Sequence, residues 1–145
     1  MRILLFLPIA FLFMSFTGWQ NNFESAKQQA KEEHKLILLN FSGSDWCGPC
    51  IMLRKEIFED ASFKVFADSS LVLVNADFPR QKKNQLPAPQ QQINARLADQ
   101  YNKNGIFPLT LLLSSDGKII KTWENKPKEN VSQFIQLVKE IIVRQ

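Results

Sequence analysis

The chain of 145 residues is 45% hydrophobic and contains 12 Phe, which is enough apolar material for one domain with a single core. This composition argues against an intrinsically disordered chain. The formal net charge of +4 comes from 18 basic and 14 acidic residues that are interspersed along the sequence, so nucleic-acid binding is not expected.

The N-terminal residues have the layout of an export signal. One Arg precedes an apolar run from Ile3 to Met14, and small and polar residues follow it. We therefore assign residues 1–18 to a signal peptide and residues 19–145 to an exported domain, periplasmic or secreted. The apolar run is shorter than the roughly 20 residues that a membrane-spanning helix requires, which leaves an N-terminal membrane anchor as the alternative.

The first half of the exported part predicts alternating helices and buried strands. Apolar residues recur at helical spacing within residues 21–34, whereas residues 36–41 form a continuous apolar run of strand length. A second helix is expected to begin at the cysteine pair, followed by a short helical turn over residues 62–67. Residues 71–76 form the next apolar run, and such runs suit parallel strands covered on both faces of a sheet.

The second half begins with a predicted exposed loop over residues 78–89, which contains three prolines and a basic cluster. We interpret Arg80, Lys82 and Lys83 as solvated cations, with a docking patch as the alternative. The later elements are a helix, two strands joined by an Asp-Gly turn and a closing helix, predicted over residues 93–101, 106–113, 118–123 and 131–142.

The order of these elements predicts an α/β fold. A βαβ unit followed by a ββα unit makes one mixed sheet, parallel in its first part and antiparallel in its second, with helices on both faces. Functional sites in such sheets lie beyond the carboxyl ends of the parallel strands. Cys47 follows the first strand and Asp77 follows the second, so we expect both at the same edge.

Both cysteines of the chain lie in the segment SDWCGPC, residues 44–50. Pro49 fits the first turn of a helix, where its missing N–H costs nothing, so Cys47 is expected at the helix N-terminus. Unpaired N–H groups and the helix dipole favour a thiolate there, which makes Cys47 the predicted nucleophile. Cys50 is one turn further along, on the same side but deeper against the sheet, and is the predicted resolving thiol.

Two other interpretations of the cysteine pair have less support. A zinc site would need two more ligands, and the sequence offers a single histidine, His34, which we expect to be solvated at the end of the first helix. An inert structural disulfide would close so short a loop that it would constrain little chain entropy. We therefore expect a redox-active dithiol and no metal.

The segment 46–50, WCGPC, follows an apolar strand, and residues 107–108, Phe-Pro, open a later one. With this order of elements, the chain resembles the thioredoxin superfamily over residues 20–144. The residues around the motif are more similar to those of exported bacterial thioredoxin-like proteins than to those of cytoplasmic thioredoxin. The resemblance implies a thioredoxin fold whose only redox group is the Cys47–Cys50 disulfide, with no further cofactor.

The resemblance also implies roles for individual residues. Cys47 would attack a substrate disulfide and Cys50 would resolve the mixed disulfide. Trp46, Phe107 and Pro108 would contact the substrate, with Pro108 following a cis peptide bond opposite the cysteines. The supporting residues that the resemblance implies are Trp46, Gly48, Pro49 and Pro108.

Two positions depart from the family pattern. Asn40 stands where thioredoxins usually carry a buried Asp that relays protons to the resolving cysteine, and Leu73 stands at the place of the accompanying Lys. An amide does not titrate, so water or Asp77 is the hypothetical route for the proton of Cys50. Asp45, two positions before Cys47, is expected to oppose the thiolate.

These features predict a monomeric protein-disulfide reductase in the cell envelope, kept reduced by a membrane electron donor. The alternatives are a disulfide oxidase or isomerase, and a binding module whose cysteine pair is idle. Gly-Pro between the cysteines is the thioredoxin dipeptide, associated with potentials near −270 mV, whereas the oxidant DsbA lies near −120 mV. At the level of the sequence, both directions of electron flow therefore stay open.

Overall fold

The computed structural model describes residues 18–145, so all but the last residue of the predicted signal peptide lies outside the described part. The described helices are α1 (Phe23–Glu33), α2 (Gly48–Leu53), α3 (Ala61–Ser70), α4 (Ala88–Tyr101) and α5 (Val131–Val143). The strands are β1 (Leu36–Ser42), β2 (Leu71–Asp77), β3 (Leu109–Leu113) and β4 (Ile119–Glu124). A π-helical turn, Arg54–Phe58, continues α2, and a 3₁₀ turn spans Lys82–Asn84.

The four strands form one mixed sheet in the order β2-β1-β3-β4. The pair β1 and β2 is parallel, whereas β3 is antiparallel to both β1 and β4. Ser42 at the end of β1 pairs with Asp77 at the end of β2, and Phe41 pairs with Leu109 at the start of β3. The predicted α/β mixed sheet is confirmed. The carboxyl ends of both parallel strands lie side by side at the same end of the sheet.

Both faces of this sheet are covered, which explains the continuous apolar runs of β1 and β3. One core cluster lies beneath α3 and α5 and is rich in aromatic rings, including Phe63 and Phe134. The other lies beneath α1 and α4 and includes Phe23 and Leu97. Within residues 18–145, no helix is both long and apolar enough to cross a membrane.

Several boundaries differ from the sequence-based expectations. The short helical turn predicted over residues 62–67 is a ten-residue helix, α3, because the Asp60 carboxylate accepts the N–H of Ser62 at 2.8 Å and caps its start. The loop predicted over residues 78–89 is shorter, since it contains a 3₁₀ turn and ends where α4 begins.

The third strand begins at Leu109 and not at residue 106. The Asn102 side chain bonds both the N–H and the carbonyl oxygen of Ile106, each at 2.8 Å, and these bonds close a turn before the strand. His34 ends α1 in a left-handed conformation with φ of 54° and is exposed, as predicted.

Candidate redox site

The cysteine pair lies at the start of α2, directly beyond the end of β1. Cys47 is the N-cap residue of this helix, and Pro49 occupies its first turn. Cys47 and Cys50 are joined in a disulfide, with their Cα atoms 5.2 Å apart. The Sγ atom of Cys47 accepts the backbone N–H of Cys50 at 3.2 Å, so an N–H group of the first helical turn points at this sulfur.

Little of either cysteine is accessible to solvent in this disulfide form. Cys47 is 4% exposed and Cys50 is 5% exposed, so both are buried to the same extent. The reason is that the disulfide ties Cys47 to Cys50, and that the preceding turn folds back so that the Cys47 N–H bonds the Gly43 carbonyl at 2.9 Å. The exposed residues of the motif are Gly48 and Pro49.

Trp46, which directly precedes Cys47, is positioned by a hydrogen bond and a ring contact. Its indole Nε1 donates to the Phe78 carbonyl oxygen at 2.7 Å, and its ring lies edge-on to Phe107 with centroids 5.4 Å apart. A Cβ placed on Gly43 would come within 2.2 Å of this ring, so the ring can occupy this position only because Gly43 has no side chain. Sequence reasoning missed Gly43 and Phe78, because the Ser-Gly-Ser segment signalled only the end of a strand.

The Phe107–Pro108 peptide bond is cis. Pro108 itself is buried, whereas Phe107 is half-buried and contacts Trp46 on one side and Phe78 on the other. The structure therefore brings Trp46 and Phe107 together in one partly exposed aromatic surface next to the cysteine pair.

Asp45 fastens the segment after β2 to the turn before α2. Its carboxylate accepts the backbone N–H groups of Arg80 and Gln81, each at 2.9 Å, and the Asn84 side-chain amide at 3.0 Å. The hydrogen bonds from Arg80 and Asn84 are the main reason that the pKa of Asp45 lies below its ordinary value. The carboxylate expected to oppose a Cys47 thiolate is thus engaged by three N–H donors.

Beneath the cysteine pair, polar side chains of three strands form a connected network. The Asn40 amide donates to Asn75 Oδ1 at 3.0 Å and accepts the Thr110 hydroxyl at 3.0 Å. The Ser42 hydroxyl lies 3.2 Å from Asn75 Oδ1 and 3.1 Å from Asp77 Oδ1. The network therefore connects Asn40, at the position of the family's buried Asp, with the carboxylate of Asp77.

Asp77 also holds the turn that leads to the cysteines. Its Oδ1 accepts the Ser44 backbone N–H at 2.9 Å, and its Oδ2 accepts the Ser44 hydroxyl at 2.5 Å. A pocket of about 220 Å³ lies between this network and the resolving cysteine. Its lining consists of Cys50, one cation, Arg54, and two sets of neutral residues. The polar set is Asn40, Ser42, Ser44 and Asn75, and the apolar set is Trp19, Ile51 and Phe58. Sequence reasoning missed Ser42, Asn75 and Thr110, since a single polar residue within a strand carries no distinctive signal.

No group of three or more His, Cys, Asp or Glu side chains that could hold a metal ion occurs among residues 18–145. His34 follows α1 and precedes the start of β1, so it lies at the edge of the sheet opposite the cysteines. The chemistry that the site offers is that of the disulfide itself.

Comparisons with known proteins agree with this arrangement. The model of the family described as Thioredoxin-like matches residues 18–114. The chain is 39% identical over 100 residues to the disulfide bond reductase DsbH of Chlamydia pneumoniae, covering 69% of this chain and 58% of DsbH. It is 32% identical over 102 residues to the thioredoxin-related protein DsbJ of the same organism, covering 70% of this chain and 28% of DsbJ.

Among solved structures, a DsbH oxidoreductase superposes with a TM-score of 0.78 at 30% identity, covering 100% of this chain and 95% of that one. The chain thus spans less than two thirds of each of the two curated relatives, but nearly the whole of this solved structure. The fold, the cysteine pair and these matches show that the chain belongs to the thioredoxin-like family of bacterial thiol-disulfide oxidoreductases.

Proposed function

We propose that this thiol-disulfide oxidoreductase reduces protein disulfides in the cell envelope. The observation that carries the proposal is the Cys47–Cys50 disulfide at the start of α2, next to the aromatic surface of Trp46 and Phe107. The name of the relative DsbH, a disulfide bond reductase, supports the direction of electron flow. The thioredoxin dipeptide Gly-Pro between the cysteines supports the same direction.

In the reduced protein, the Cys47 thiolate attacks one sulfur of a substrate disulfide. A mixed disulfide forms, and the other substrate sulfur leaves as a thiolate that takes up a proton. Cys50 then loses its proton and attacks the Cys47 sulfur, which releases the second substrate thiolate and closes the Cys47–Cys50 disulfide. Two electrons pass to the substrate, and a dithiol donor must return them. The N–H of Cys50, which already points at the Cys47 sulfur, stabilises negative charge on it.

The proton of Cys50 leaves through the pocket toward Asp77. On its polar side, where amides and hydroxyls lie, a pocket of this size can hold water that carries the proton to Ser42. Ser42 has one hydroxyl hydrogen and two acceptors within reach, so it donates to Asp77 when that carboxylate is ionised and to Asn75 when Asp77 is protonated. Ser42 thus links Asp77 to the pocket, and the proton relay does not need a carboxylate at position 40.

Trp46, Phe107 and Pro108 form the substrate-binding surface in this proposal, with Gly48 and Pro49 supporting the cysteines. Residues 1–18 are a signal peptide, residues 19–145 act as a monomeric domain in the envelope, and a membrane protein supplies the electrons. The apolar run from Ile3 to Met14 supports this location.

The proposal is tested by insulin reduction with dithiothreitol as the electron source. The parent protein should accelerate precipitation of the insulin B chain, and Cys47→Ser should not exceed the uncatalysed rate. Equal rates for parent and variant would favour a binding module with an idle cysteine pair.

The direction of electron flow is tested by equilibration in glutathione buffers. We expect a potential of about −270 mV, as in thioredoxin, whereas a potential of about −120 mV would favour the oxidase or isomerase alternative.

A further inference from the structure

The segment after β2 is hydrogen-bonded to the turn that carries the cysteines. Asp45 binds the backbone of Arg80 and Gln81, and the Trp46 indole binds the carbonyl of Phe78. A side-chain amide also closes the segment on itself, since Gln85 Nε2 donates to the Pro79 carbonyl at 2.9 Å. Residues 78–85 are therefore part of the surface around the disulfide and not a detached loop.

Arg80 places a positive charge directly at this surface. Its guanidinium carbon lies 3.6 Å from the centroid of the Trp46 ring, in the geometry of a cation–π contact. The residue is nonetheless exposed, so the guanidinium N–H groups remain accessible to a bound partner. The exposure agrees with the sequence-based interpretation of Arg80 as a solvated cation, and the contact with Trp46 covers one side of its side chain.

Two further cations extend this charge away from the disulfide. Lys82 and Lys83 lie on the exposed 3₁₀ turn, and the side chain of Asn84 in that turn donates to Asp45. Within the part of the chain that the structure describes, neither lysine nor Arg80 forms a salt bridge with a carboxylate. The neighbouring carboxylates, Asp45 and Asp77, accept hydrogen bonds from backbone and side-chain donors instead.

We propose that Arg80, Lys82 and Lys83, here called the basic surface, bind an acidic segment next to the disulfide of the substrate protein. The inference rests on the proposed function and adds a preference among its substrates. The aromatic surface alone would accept any extended apolar chain, whereas Arg80 over Trp46 and the two exposed lysines on the adjoining turn favour Asp- and Glu-rich neighbours of the substrate cysteine. Because the segment is already held by Asp45 and Trp46, little ordering is required when the partner binds.

The proposal is tested with three peptides that share one disulfide-closed core and carry four Glu, four Gln or four Lys on one side of it. The dithiol form of the purified full chain reduces each peptide in stopped-flow experiments, at 20 mM and at 500 mM salt. At low salt the Glu peptide should be reduced about tenfold faster than the Lys peptide, as expected for electrostatic steering. At high salt the ratio should fall below about twofold, because the Debye length becomes only a few ångströms.

The double variant Lys82→Gln/Lys83→Gln should lower the low-salt ratio to about threefold or less. The matched control, Lys31→Gln/Lys118→Gln, removes the same charge at the opposite edge of the sheet, where β1 begins and the β3–β4 turn lies. The control should keep the ratio of the parent protein. Equal rates for the Glu and Lys peptides, or an equal loss in both double variants, would overturn the proposal, because only the net charge would then matter.

A failure of the proposed function would look different. In that case none of the three peptides, including the Gln peptide, would be reduced. The basic surface would still be tested by calorimetric titration with a Glu peptide whose cysteines are replaced by Ser. We expect low-salt binding at least about threefold weaker in Lys82→Gln/Lys83→Gln than in the control variant. Equal affinities would overturn the proposal by themselves.

Discussion

The two sides of the cysteine turn differ in chemistry. The side facing the sheet carries amides and hydroxyls that connect to one carboxylate, Asp77, and a pocket that Arg54 and apolar side chains also line. The outer side consists of aromatic rings and an arginine, with Trp46 in contact with both Phe107 and Arg80. In the proposed mechanism, proton transfer and partner recognition therefore take place on opposite sides of one turn. Substitutions on one side should therefore leave the function of the other side largely intact.

The largest expected effect is that of substituting the two cysteines, which lie between the two sides. Cys50→Ala should retain the attacking thiol but lack the resolving one, so that substrates accumulate as mixed disulfides on Cys47. We expect nearly complete trapping in cell-envelope extracts, measured on non-reducing gels and identified by mass spectrometry. Cys47→Ser/Cys50→Ala is the control and should trap nothing. Trapping that persists in the double variant would contradict the role of Cys47.

The next effect concerns the outer side. Gly43→Ala would place a methyl group within 2.2 Å of the Trp46 ring and displace it. We expect a loss of about 2 kcal/mol in the free energy of unfolding, as for other overpacked sites, measured by urea denaturation. Gly48→Ala is the matched control, because an added Cβ there meets nothing within 4 Å. Equal stability of the two variants would show that Trp46 can move without cost.

The buried side is tested by Ser42→Ala, which removes the hydroxyl between Asn75 and Asp77. We expect the resolving step to slow at least about tenfold, since the hydroxyl that links the pocket to the proton acceptor Asp77 is lost. The measurement is the decay of a preformed mixed disulfide in single-turnover experiments. Ser132→Ala, an exposed change near the start of α5, is the control.

Asp77→Asn should slow the same step, and the double variant Ser42→Ala/Asp77→Asn should be no slower than the slower single variant. A resolving rate that Asp77→Asn leaves unchanged would contradict the relay. Additive losses in the double variant would show that the two residues act separately.

The smallest expected effect is a pH dependence of the contact between the two segments on the outer side. The pKa of Asp45 is lowered below 3.8 by the hydrogen bonds from Arg80 and Asn84, so its contribution to stability is fully present above pH 3.8. That contribution is lost as the pH falls through the lowered pKa. The backbone N–H resonances of Arg80 and Gln81 should therefore titrate with a midpoint below pH 3.8. Asp45→Asn should abolish this transition, and a midpoint above 3.8 in the parent would contradict the assigned bonds.

Much of the fold was predictable because its signals are local. The apolar runs of β1 and β2 and the Asp-Gly turn before β4 depend only on neighbouring residues, and the structure confirms the sheet they predict. The length of α3 was underestimated, since its cap at Asp60 and its buried Phe side chains count only when the helix packs. The start of β3 was misplaced because the Asn102 side chain closes a turn that no apolar pattern reveals.

The sequence by itself determined that the two cysteines lie at a helix start beyond a buried strand, because a proline in the first turn and an apolar run are properties of adjacent residues. Only the tertiary structure decided which distant groups meet there. Residues 32 or more positions apart, such as Trp46 and Phe78 or Ser42 and Asp77, come into contact only because β1 and β2 are parallel neighbours. Hydrogen bonds and ring contacts act over a few ångströms in space, whatever the separation along the chain, so the proposed proton route and the proposed basic surface depend on the register of the sheet.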